Sequence, residues 1–311
     1  MSVGVVLMAY GTPASADDVE DYYTHIRRGR PPTVEQLDEL RARYAAIGGV
    51  SPMARHTAAQ VAAIDAALQA SEPGRFEVSL GQKHAAPFVE DAVEELTALG
   101  ADRVVGLVLA PHWSSSSIGV YHDRARRVTE EHRIRYDGID SWSDEPAFID
   151  HQARAVLRRL AELPERTKVL FTAHSLPLRV LDGDPYPDQL RASATAIAEQ
   201  AGLARWAGWS LAWQSAGRTP EPWAGPDVLE VIRELAATGR TDGVLVVPQG
   251  FTSQHLEVLH DLDIEAAGVA EHLGLHFART DVIDDDADVM RALAGRISAI
   301  ADSFPLSTVS P

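Results

Sequence analysis

Glu257, Asp261 and Glu265 recur at every fourth position of the segment PQGFTSQHLEVLHDLDIE, residues 248–265. On an α-helix, residues four apart are offset by only about 40°, so the three carboxylates would form one stripe. Like charges at that spacing repel, and no lysine or arginine lies between Gly250 and Glu265 to offset them. Such a stripe is either a solvated face or a row of oxygen ligands for a cation. His255 and His260 add a superficial zinc-protease look. Those enzymes need two histidines four apart with glutamate between, whereas these are five apart, about 140° around a helix. The zinc-protease reading is excluded.

Further reactive side chains cluster in short motifs. His174 lies in FTAHSLP, just after an apolar run. A histidine there suits proton transfer or metal binding, although such a residue taken alone is more often structural. Ser175 invites a serine-nucleophile reading, but no G-x-S-x-G elbow occurs in the chain. Lys83 and His84 follow another apolar run and are either catalytic or plain loop residues. His112, Trp113 and Ser114–Ser117 form a further loop whose serines would cap a helix. Arg27, Arg28, Arg30, Arg41, Arg43 and Arg55 make residues 24–55 locally basic. Each alone reads as a solvated charge; together they suit a small polyanion bearing carboxylates. Trp209, Trp213 and Trp223 fit core packing or loop anchoring, or a flat apolar ligand.

The elements that must position these residues alternate along the chain. Apolar runs predict strands over 3–8, 76–80, 104–110, 133–139, 169–172, 206–211, 244–247 and 275–278. Amphipathic stretches predict helices over 34–47, 54–70, 87–99, 149–163, 189–201 and 226–237. This alternation predicts α/β layering on parallel sheets. Two echoes suggest two similar halves: Ala9-Tyr10-Gly11-Thr12-Pro13 beside Ala173-His174-Ser175-Leu176-Pro177, and Val108-Leu109-Ala110-Pro111 beside Leu245-Val246-Val247-Pro248. In open α/β sheets ligands bind outside the carboxyl ends of the strands, where Tyr10, His112, His174 and Gly250 fall. At 311 residues, two domains are expected. They are placed at 1–143 and 144–285, with a C-terminal helix and fraying tail over 286–311.

Composition narrows the function. A net charge of −17 argues against nucleic acid, which is bound through Lys and Arg. With no cysteine, disulfides, thiolate nucleophiles and cysteine-ligated iron–sulfur clusters are excluded. Histidine and carboxylate remain as metal ligands. The chain shows neither a basic leader nor an apolar run of about 18 residues, so a soluble, cytoplasmic protein is expected.

Nine motifs in order, over about residues 3–280, resemble the ferrochelatase family, and its Gram-positive-type coproporphyrin branch in particular. They are MAYGTP (8–13), YYTHIRRGRPP (22–32), RYAAIGGVSPM (43–53), GQKHAAPFVEDAV (81–93), LAPHWSSSS (109–117), FTAHSLP (171–177), GDPYPDQL (183–190), WQSAGRTPEPWAGPDV (213–228) and the 248–265 segment. The resemblance implies two Rossmann-like lobes with a cleft between them, where ferrous iron enters a porphyrin and two protons leave. It implies His174 and Glu257 as the pair at the metal-insertion face and Tyr10 on the opposite face. Arg27, Arg43, Tyr44, Ser51 and Tyr121 match positions contacting the porphyrin or its propionates; Lys83 is added to that set. Asp261 and Glu265 match an outer metal site leading to Glu257. Iron is then a substrate, and no tightly bound cofactor or iron–sulfur cluster is expected. The apolar lip of membrane-associated relatives is replaced here by the polar GRPPTVEQLDEL. This favours an enzyme without integral membrane association, and the branch similarity favours coproporphyrin III over protoporphyrin IX as substrate; a monomer is expected. The rivals are a cobalt chelatase of related fold and a non-catalytic haem or metal carrier.

Overall fold

The computed structural model describes residues 2–204, 208–217 and 219–303. The first half runs β1 (Ser2–Ala9), α1 (Val19–Ile26), α2 (Val34–Ala46), α3 (Met53–Ser71), β2 (Phe76–Gln82), α4 (Val89–Ala98), β3 (Ala101–Val108), α5 (Ile118–Glu131) and β4 (Arg135–Ile139). After α6 (Pro146–Leu160) the second half runs β5 (Thr167–His174), α7 (Leu178–Leu181), α8 (Tyr186–Gln200), β6 (Trp209–Gln214), α9 (Val228–Thr238), β7 (Gly243–Val247), a π-helix (Glu257–Ala266), α10 (Ala267–His272), β8 (His276–Arg279) and α11 (Ala287–Asp302).

Both sheets are parallel, with orders β2-β1-β3-β4 and β6-β5-β7-β8. The two orders are one topology repeated, which accounts for the sequence echoes. Tyr10 and His174 follow corresponding strands, β1 and β5, and Pro111 and Pro248 follow corresponding strands, β3 and β7. Each sheet reverses its winding between β1 and β3, or between β5 and β7. The crevice at such a switch point is where loops part and a ligand can enter.

The strands read as continuous apolar runs because both faces are covered. On the outer face of the first sheet, Val6, Met8, Val104 and Val108 pack with Val93 and Leu96 of α4 and Ile118 of α5. On the second, Leu170, Val244 and Val246 pack with Ile232 of α9 and with Val258 and Leu262 of the π-helix. The inner faces share one core: Val5, Leu7 and Leu107 join Phe171, Leu245 and Val247 through α3, α6, α8 and α11. Buried polar groups then stitch the loops at the strand ends. Thr252 Oγ1 donates to the Leu109 carbonyl at 2.6 Å, and Gln60 Nε2 donates to the Thr252 and Asp284 carbonyls. His112, with one ring nitrogen 2.8 Å from Ser193 Oγ, is held neutral by burial, which lowers its pKa to about 3.

Several boundaries differ from the sequence expectation for local reasons. Arg133 has positive φ, so β4 starts at Arg135. Phe88 is extended and precedes α4, which therefore begins at Val89 rather than Pro87. Pro146 stands at the first turn of α6, where its missing N–H is harmless, and the helix starts three residues early. The predicted strand start at Trp206 and the predicted fraying tail from Ser307 lie outside the described residues. The serine cluster before α5 does not cap it: Ser117 makes no side-chain cap bond, whereas Ser114 and Ser115 hydroxyls donate to Asp184.

The main correction concerns the acidic ladder. Its segment is not an α-helix but a ten-residue π-helix, Glu257–Ala266. The π form is rare and concentrates at functional sites. Its wider turn still leaves residues four apart close together, so the stripe survives on a different backbone.

Candidate active site

His174 is the last residue of β5, and Glu257 opens the π-helix that follows β7. The switch point of the second sheet thus brings them together, with His174 Nε2 3.6 Å from Glu257 Oε1. The His174 Nδ1–H donates to the Ser175 carbonyl, which aims Nε2 at the carboxylate. His255 Nε2 flanks the other oxygen, 3.6 Å from Glu257 Oε2. Gly250 makes this packing possible. Its N–H donates to the Thr172 carbonyl, and a Cβ there would sit 2.6 Å from Ala173 Cβ, next to His174.

The pair lines the cleft, with the His174 side chain 36% exposed. Burial alone would lower the His174 pKa, but the Glu257 carboxylate, helped by the Ser175 carbonyl and Asp261, raises it to about 9. Burial pushes Glu257 up, and His174 and His255 outweigh it, holding the carboxyl well below its usual range. At neutral pH the pair is therefore imidazolium and carboxylate.

Tyr10 follows β1 at the opposing switch point. It is 41% exposed, its ring is 4.6 Å from that of His84, and burial followed by the Glu257 charge raises its pKa. Tyr44 and Tyr121 are buried in the walls. Ser51 is also buried, and its Oγ accepts from the Met53 N–H at 3.2 Å. Lys83 places its ammonium 5.1 Å from the Tyr121 ring centre. Arg27 lies over the Tyr23 ring and its Nε donates to the Arg30 carbonyl at 3.2 Å.

Arg43 is where the structure departs most from the sequence reading. Its guanidinium does not stand free for an anion but crosses to the π-helix, pairing with Asp261 and donating from Nε to His260 Nδ1 at 3.4 Å. Ser215 Oγ donates to the other Asp261 oxygen. The ladder is therefore compensated, by a residue 218 positions away. His260, Asp261 and Glu265 offer ligand atoms within 4.8 Å of one another, lining a cavity of about 470 Å³ with Arg43, Ser215 and Gln214. The π-helix thus carries Glu257 of the inner pair and all three residues of the outer triad.

The arginine-rich segment does not form one patch. Arg41 faces Glu20 at 3.6 Å, Arg43 joins the outer triad, and Arg28 acts on Lys83. Sequence reasoning gave His255, His260 and Ser215 no role. The adjacency of each histidine to the ladder was the available signal; Ser215 carried none.

The sequence profile of ferrochelatase matches residues 2–300. The chain belongs to the ferrochelatase family. A ferrochelatase is an enzyme, a lyase with ferrous iron as substrate. Among similar proteins, the coproporphyrin III ferrochelatase of Geobacillus thermodenitrificans (strain NG80-2) is 44% identical over 301 residues, 94% of each chain. The ferrochelatase of Herpetosiphon aurantiacus is 45% identical over 289 residues, covering 91% of this chain and 93% of its own. Among solved structures, SirB from Bacillus subtilis with Fe3+ has a TM-score of 0.55 at 15% identity, covering 97% of this chain and 96% of its own. CbiX, the terminal enzyme for siroheme biosynthesis in denitrifying bacteria, has a TM-score of 0.52 at 12% identity, covering 97% and 100%. These two likenesses bear on the fold of this ferrochelatase alone. Among its described residues no helix is long and apolar enough to cross a membrane.

Proposed function

We propose that this ferrochelatase inserts ferrous iron into coproporphyrin III, giving the iron porphyrin and two protons in haem biosynthesis. The observation that carries the mechanism is the His174–Glu257 pair at one switch point, near enough to Tyr10 for the Glu257 charge to act on its hydroxyl. Two pyrrole protons must leave as iron arrives, so acceptors have to stand over the ring centre. Glu257 is kept anionic and can take the first. His174 carries a proton at Nε2 and must release it before that nitrogen can accept a pyrrole proton or meet the metal. The rate of insertion therefore rises as pH approaches 9 from below.

The outer triad delivers the cation. Asp261 and Glu265 provide oxygen atoms, and an ion that must be passed on is better served by weak, successive sites than by a closed cage. Arg43 lies against Asp261 and limits how firmly a cation can be held there. Tyr10 closes the opposite face of the macrocycle. Arg27, Tyr44, Ser51, Tyr121 and Lys83 hold its body and carboxylates. Remote binding of this kind supplies the energy that bends the flat ring and exposes its nitrogen lone pairs. The same reading has the chain work in the cytoplasm as a monomer, without a tightly bound cofactor.

The substrate choice is tested by anaerobic incubation with ferrous iron and each porphyrin, following the absorbance change on metallation. Turnover favouring coproporphyrin III is expected. A preference for protoporphyrin IX would overturn the substrate, and no turnover with either would overturn the reaction.

A further inference from the structure

Lys83 is gripped at both ends by one helix. Its N–H donates to the Ala9 carbonyl at 2.9 Å, which fixes the residue beside Tyr10. Two side chains on α5, spaced three apart and so on one face, then hold the rest. Tyr121 underlies the ammonium at 5.1 Å, a cation–π distance. Arg124 Nη1 donates to the Lys83 carbonyl at 2.8 Å.

Arg124 is itself immobilised. Its Nε donates to Glu90 Oε1 at 2.8 Å and its Nη2 to Oε2, a bidentate fork. Arg127 adds a second contact to Glu90 at 3.0 Å. Glu90 stands in the first turn of α4, where the helix dipole favours a carboxylate. Burial raises the Glu90 pKa, but the Arg124 hydrogen bonds and the charges of Arg124 and Arg127 outweigh it. The arginines are thus satisfied. The Lys83 ammonium has no carboxylate partner among the described residues and faces further cations. Burial, followed by the charges of Arg124 and Arg28, lowers its pKa to about 8. A half-buried ammonium so placed is stabilised by an incoming anion.

We propose that Arg124, braced by Glu90, is a positioning residue that holds the Lys83 loop so that the Lys83 ammonium receives a peripheral carboxylate of the substrate. This rests on the reading of the cleft as a site for a carboxylated porphyrin. It adds two residues that touch no substrate and were given no role above: Glu90, within the 81–93 motif, and Arg124, outside all nine.

The test is a double-mutant cycle on the full chain with coproporphyrin III and ferrous iron. Arg124→Met is expected to raise the porphyrin KM about tenfold, the scale of one charge-assisted hydrogen bond, with a much smaller change in kcat. In a Lys83→Met background the same substitution should change KM by less than about twofold, because the residue it positions is already gone. KM should rise as Lys83 loses its proton above about pH 8, and Arg124→Met should move that rise to higher pH, since one of the cations depressing the Lys83 pKa is removed. Glu90→Gln keeps the arginine and the volume, and should give a smaller KM increase that Lys83→Met likewise abolishes; it carries the test if Arg124→Met does not fold. An equal KM effect of Arg124→Met or Glu90→Gln in both backgrounds, or no effect in either, overturns the proposal. Failure of the porphyrin reading looks different, because the unmodified enzyme would then not bind or metallate coproporphyrin III.

Discussion

Replacing Glu257 with glutamine should change the charge of His174, which stands 3.6 Å away. In the unmodified protein burial lowers the histidine pKa, and the nearby Glu257 carboxylate is the main effect that raises it to about 9. At pH 7.5 this leaves about thirty protonated rings for each neutral one. The amide of glutamine carries no charge, so burial is opposed only by the Ser175 carbonyl and the Asp261 charge. The pKa should fall to near or below the ordinary 6.5, leaving about one ring in ten protonated at pH 7.5. Two-dimensional NMR of the imidazole Cε1–H resonances, in metal-free protein across pH 5–10, measures this directly. His174→Asn identifies the resonance among the 12 histidines. The sign also reaches stability. A histidine whose folded pKa is raised stabilises the fold fully below about pH 6.5 and loses that contribution as pH rises through about 9; in Glu257→Gln this pH dependence should vanish. A His174 signal that still titrates near 9 in the variant would refute the reasoning.

Two further outcomes follow from the site's geometry. Gly250→Ala forces a Cβ to within 2.6 Å of Ala173 Cβ and 2.9 Å of its Cα, which should cost about 1–3 kcal/mol in denaturant unfolding and slow insertion by displacing His174. Unchanged stability and rate would show that β5 yields there freely. Glu265→Ala should raise the iron concentration needed for half-maximal rate several-fold, with little change in the rate at saturating iron. A loss as complete as that of a His174 variant would contradict a delivery role.

Much of the fold was legible because buried parallel strands are unbroken apolar runs. Val3–Met8 and Val244–Val247 have nowhere else to go, and the repeated strand-then-polar echoes fell on equivalent ends of the two sheets. The pairing of His174 with Glu257 was implied only by the family resemblance, whereas His174 itself was legible in the same way, as a strand-end residue. The π-helix was not, because the side chains of Glu257–Ala266 would suit an α-helix equally and tertiary packing chooses between them. The partner of Asp261 was also hidden. Arg43 is remote in sequence, and reading charge balance only along the segment made the ladder look uncompensated. The protonation of His174 was invisible as well: a lone histidine titrates near neutrality, and only a carboxylate at 3.6 Å moves it.

If the His174–Glu257 pair performs insertion while other residues hold the porphyrin, the two steps come apart in a single variant. Measuring both steps in His174→Ala separates them: porphyrin affinity by fluorescence titration, and anaerobic metallation by absorbance in a single turnover. Affinity within about threefold of the unmodified enzyme is expected, with insertion slowed at least about 100-fold, the scale of a lost acid–base group. Insertion at close to the unmodified rate, with affinity intact, would contradict that role of the pair.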